Sequence, residues 1–123
     1  MSEPLSAITA LWGMVTGLQN KDRTMQIHVF SLGFASMLQH LCSDIPSLTR
    51  ATLYVDRVLA WSVICRLLAT RRLITQIASK PVWYILTGLI GFALSEAQSV
   101  SPPYSDFAHA CWHVVAFDVV RAC

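Results

Sequence analysis

Five apolar stretches, separated by short polar breaks, run along the chain. The first spans Pro4 to Asn20 and ends at Lys21-Asp22-Arg23; the second, Thr24 to Ser43, stops at Asp44-Ile45-Pro46, where proline breaks a helix. The third runs from about Ala51 to Thr70 and carries Asp56, Arg57 and Arg66. The fourth starts near Pro81, a residue suited to the first turn of a helix, and ends at Glu96. The fifth opens after Ser101-Pro102-Pro103 and reaches about Val120. None shows the period-2 alternation of a barrel strand, and no internal repeat is visible. The pattern predicts an all-α protein, a polytopic helical membrane bundle of about five transmembrane helices, with residues 1–123 forming a single helical membrane domain.

Composition moves the reading further toward lipid. Hydrophobic residues make up 54% of the chain and charged residues 13%, against roughly 45–50% and about 25% in ordinary soluble domains. The segments are short for a ~30 Å hydrocarbon core, which asks for about 20 residues and tolerates about 17. Trp83, Tyr84 and Tyr104 flank the fourth and fifth where an interfacial aromatic belt would lie. No basic n-region or Arg/Ser-rich presequence precedes the first segment, so no cleaved targeting peptide is expected. A net charge of +2, with the basic residues not gathered on one stripe, is too small to imply a nucleic-acid partner, and none is expected. Cys42, Cys65, Cys111 and Cys123 lack CxxC spacing and read as packing residues.

With five crossings, the first and third loops share a side and hold Lys21, Arg23, Arg71, Arg72 and Lys80, whereas the opposite loops offer only Arg50. The positive-inside bias makes the basic side cytoplasmic or its equivalent, with the N-terminus on the far side. The expected location is therefore an integral, multi-pass one.

On that topology the polar residues inside the segments fall together. His40 lies about 6 Å in from Asp44 at ~1.5 Å per residue, Asp56 about 9 Å in from Arg50, and His109 and His113 roughly 9 and 15 Å in from Pro103. All four belong to one half of the bundle. His109 and His113 are four residues apart, as are Ser36 and His40, so each pair shares a helix face. Three imidazoles at similar depth suit a catalytic zinc that keeps a fourth position for water. An ionisable residue in such a segment points to function, because it is costly there without a partner.

These residues resemble a known family. Ser36-Met37-Leu38-Gln39-His40 is similar to the SxxxH helix of the CREST superfamily, which includes alkaline ceramidases, adiponectin and progestin receptors and myomaker-like proteins. Asp56, in Leu53-Tyr54-Val55-Asp56-Arg57-Val58, resembles that family's aspartate on the next helix, and His109-Ala110-Cys111-Trp112-His113 its HxxWH sequence on the last. The resemblance implies a Zn2+ held by His40, His109 and His113, with Asp56 and Ser36 as catalytic residues beside the water that the metal activates. It also implies hydrolysis of an amide or ester bond in a lipid. The family usually has seven crossings and five fit here; losing two together keeps His109 and His113 on the side of His40. Arg57 directly follows Asp56 and competes as its partner.

The leading expectation is thus an intramembrane zinc-dependent lipid hydrolase. A second class is a non-catalytic membrane subunit of a larger complex, in which the polar residues join helices. A third is a haem-binding anchor using His40 and one of His109 or His113.

Overall fold

The computed structural model describes residues 3–42, 44–97 and 101–123 and is all-α. Among the described residues six helices follow one another: α1 (Pro4–Gly17), α2 (Arg23–Leu41), α3 (Pro46–Ala69), α4 (Arg72–Ser79), α5 (Val82–Glu96) and α6 (Pro102–Ala122). Ser43, the expected end of the second segment, lies outside the described residues. Five of the helices match the five apolar segments. The sixth, α4, occupies a stretch expected to be a loop.

Local chemistry sets the boundaries. Asp22 caps α2, its carboxylate accepting from the Thr24 amide at 3.0 Å. Pro46 stands in the first turn of α3, which starts about five residues earlier than expected because proline is preorganised for that position. Arg71, at φ 60, turns the chain out of α3, and Pro81 separates α4 from α5.

α1 lies at the centre and packs on α2 and α6; α3 packs outside α2, and α5 outside α6. The close approach of α1 is a matter of small side chains. Ser6, Ala7, Ala10, Gly13, Thr16 and Gly17 are its buried residues. At Gly33 on α2 a Cβ would stand 2.8 Å from the Met14 backbone nitrogen, so only glycine permits this crossing.

The interior has two compositions. Met25, Val29, Val63, Leu67 and Phe117 form an apolar core where α2 begins and α3 and α6 end. At the other end the buried groups are polar: Ser6, Ser36, Gln39, His40, Asp56, Asp106, His109 and His113. Large apolar side chains face outward on the long helices, among them Ile8, Leu11 and Val15 on α1 and Val58 and Trp61 on α3.

No single helix among the described residues is long and apolar enough to cross a membrane. The 14 residues of α1 reach only about 21 Å, and the 24-residue α3 carries Arg50, Asp56, Arg57 and Arg66. α4 and α5 pass such a test as a pair but meet at 114°.

Candidate metal centre

All five residues singled out from the sequence come together at the polar end. α2 contributes Ser36 and His40 one turn apart, α3 contributes Asp56, and α6 contributes His109 and His113 one turn apart. The helix pairings α1·α2, α2·α3 and α1·α6 bring these faces to one place. Ring centroids are 4.7 Å apart for His40 and His109, 5.1 Å for His40 and His113, and 4.5 Å for His109 and His113. One ring nitrogen from each histidine lies within 4.8 Å of the other two.

Hydrogen bonds behind the rings define which nitrogen is free. His40 Nδ1 stands 3.0 Å from the Glu3 carboxylate, an acceptor, so this nitrogen carries the proton. His113 Nδ1 donates to the Ser6 carbonyl at 3.1 Å and also touches Thr9 Oγ1 at 2.9 Å. His109 Nδ1 lies 2.9 Å from Ser95 Oγ. That hydroxyl already donates to the Phe92 carbonyl at 2.7 Å and is left to accept from the imidazole. Each ring therefore presents its Nε2 lone pair. His40 Nε2 is buried with no hydrogen-bond partner, and His113 Nε2 meets only the Ser36 hydroxyl at 3.2 Å. An orphaned acceptor facing two further imidazoles is a costly arrangement that a shared cation relieves. Three neutral imidazole nitrogens are a donor set that could hold a transition-metal ion.

Ser36 and Asp56 complete the group. Ser36 is buried with its hydroxyl 3.2 Å from His113 Nε2, and the buried Asp56 carboxylate lies within electrostatic reach of Ser36, His40 and Arg57. Arg57 behaves differently from the sequence expectation. Its guanidinium pairs with Glu96 on α5 and lies 5.6 Å from the centre of the Phe92 ring, so its direct ion pair is not with Asp56.

Sequence reasoning missed the supporting residues Glu3, Ser6, Thr9, Ser95 and Asp106. Asp106 is buried and takes both the Leu5 and Ser6 amides, at 3.0 and 2.8 Å, so a carboxylate of α6 caps α1 at its positive end. Its spacing from His109 and His113 puts it on the same face of α6 and was a readable signal. Glu3 binds His40 twice, since its amide also donates to the His40 carbonyl at 3.1 Å. No local pattern identifies that contact.

No family model, curated protein or solved structure matches this chain.

Proposed function

We propose that this protein is a membrane-embedded, zinc-dependent hydrolase of an amide or ester bond in a lipid, a shortened relative of the CREST superfamily. The carrying observation is the three-histidine cluster, in which every Nδ1 is engaged and His40 Nε2 is buried without a partner. His40, His109 and His113 would hold the ion. A zinc ion in such a site supplies Lewis acidity and an activated water at neutral pH. Asp56 would take a proton from the attacking water; Arg57 makes its ion pair with Glu96 rather than with Asp56, while still acting on it electrostatically. The Ser36 hydroxyl can donate to the oxygen that becomes negative at the attacked carbonyl. Glu3, Thr9 and Ser95 orient the rings, and the small residues of α1 bring their helices close enough to do so.

The bilayer setting is supported by the inverted distribution of side chains. Apolar groups such as Ile8, Leu11, Val15, Val58 and Trp61 face outward, and serines, histidines and aspartates face inward. Soluble domains seldom present apolar surface of that extent. Charge follows the same axis. Lys21, Arg23, Arg66, Arg71, Arg72, Lys80 and Arg121 sit at the end away from the histidines, leaving Arg50 and Arg57 as the other two of the nine cations. The outward apolar faces also favour a second reading, a non-catalytic subunit whose polar core joins helices within a larger assembly.

Turnover separates the two. Purified wild type and Asp56→Ala are compared on ceramide and on acyl-ester lipids in mixed micelles, with zinc content measured on both. The hydrolase reading expects product from wild type and a loss of roughly 100-fold or more in the variant with zinc retained. Zinc-loaded wild type that turns over no lipid amide or ester defeats the hydrolase reading and leaves the metal site standing.

A further inference from the structure

The octet Arg72 to Ser79 is the most strongly amphipathic segment of the molecule and has no buried residue. Leu73, Ile74 and Ile77 fall on one side of α4, with Arg72, Thr75, Gln76 and Ser79 opposite. Leu73 leans on the apolar core, but Ile74 and Ile77 remain 59% and 40% exposed. α4 also lies across the bundle, meeting α5 at 114°. Amphipathic character with modest net hydrophobicity and a crosswise attitude belongs to helices lying in a lipid headgroup layer.

Charge identifies the lipid. Seven of the nine cations share this end with only Asp22 and Asp118. Asp22 engages Arg66, and Asp118 engages Lys80 and Arg121. Lys21, Arg23 and Arg71 are exposed and make no ion pair among the described residues. Beside α4, an open surface depression is lined by Thr70, Arg71, Arg72, Thr75, Gln76 and the Ala122–Cys123 end of α6, with Arg72 donating to the Cys123 carbonyl at 3.4 Å and Arg71 left exposed; its guanidinium and hydroxyl donors suit phosphate oxygens. We infer that α4 docks on an anionic lipid surface, its isoleucines entering the acyl boundary while Arg71 and Arg72 take phosphate groups. This rests on the membrane reading above and is independent of the metal site.

Hydrogen exchange of residues 72–79 tests it, with the full chain reconstituted in phosphatidylcholine vesicles with and without phosphatidylglycerol. The anionic lipid is expected to slow exchange by about fivefold or more, an effect reduced by high salt. The slowing should be absent from Arg71→Gln/Arg72→Gln and from Ile74→Ser/Ile77→Ser, with α1 exchanging normally in both. Equal exchange in the two vesicles, with the chain floating with lipid and resisting an alkaline wash, overturns the inference and leaves the membrane reading intact. Slowing produced as well by inorganic phosphate assigns the cations to a soluble anion and also overturns it. A chain removed by alkali overturns both.

Discussion

The two ends of the bundle are stabilised by different physics. Around the histidines many buried groups are polar, and the three rings and the start of α1 are held by hydrogen bonds: Asp106 caps α1, Glu3 holds His40, Ser95 holds His109, and Thr9 with the Ser6 carbonyl holds His113. At the far end Met25, Val29, Val63, Leu67 and Phe117 are packed against one another, with Thr16 and Asn20 the buried polar side chains beside them and the ion pairs of Asp22 and Asp118 nearer the surface. Hydrogen-bonded networks fix orientation, and apolar packing fixes the spacing of helices without specifying ring directions. The comparison sets an end held by apolar packing against an end held by oriented polar groups, where the proposed metal site lies.

The sharpest way to break that division is to remove one of the three clustered histidines. His113→Ala should abolish zinc binding while circular dichroism retains the helical spectrum, because Met25, Val29, Val63 and Leu67 keep their packing and only Phe117 loses a neighbouring ring, 5.8 Å away; loss of helix along with metal would mean that the two ends are not separable. Leu67→Ala attacks the other end. The residue is 1% exposed, and truncation should cost about 2 kcal/mol or more in reversible unfolding, chiefly through the cavity left behind. Zinc stoichiometry of the folded variant should not change. A smaller effect is expected from Glu3→Ala, which takes the acceptor from His40 Nδ1 but leaves the ligands in place. A carboxylate behind a ligating imidazole is worth roughly 10–100-fold in metal affinity, readable by competition with a chelator, and Glu3→Gln should recover part of it. Equal affinity in wild type and Glu3→Ala would remove Glu3 from the site.

The smallest effect belongs to Asp22. Hydrogen bonds from Thr24 lower its carboxyl below the ordinary value of 3.8. A depressed acid stabilises the fold above its unfolded value, and that contribution is lost as pH falls through the lower, folded value. Asp22→Ala should therefore lower Tm slightly at neutral pH, with the difference from wild type vanishing in acid. A difference that persists in acid would mean that the cap works without its charge.

The same division explains what could be read from sequence. His40, Asp56, His109, His113 and Ser36 were legible because helical spacing and alternation of direction decide depth and face, and those alone bring the five residues together. Glu3, Thr9 and Ser95 were not, since their contacts depend on how far each helix slides along its neighbour. Arg57 misled for a related reason. Adjacency in sequence suggested Asp56 as its partner, but successive residues on a helix point about 100° apart, and Arg57 reaches across to Glu96. α4 was hidden because Arg71, Arg72 and Lys80 interrupt the apolar run, although the order of its eight residues is amphipathic.

Zinc content of the purified full chain tests the central claim most directly. Protein isolated in mild detergent without added metal is assayed by mass spectrometry of the elements, beside His40→Ala. One zinc per wild-type chain, absent from the variant, is the result that three converging Nε2 lone pairs predict. Wild-type protein that is helical and cooperatively folded yet holds no metal, and takes none up from zinc-buffered solution at neutral pH, would contradict it.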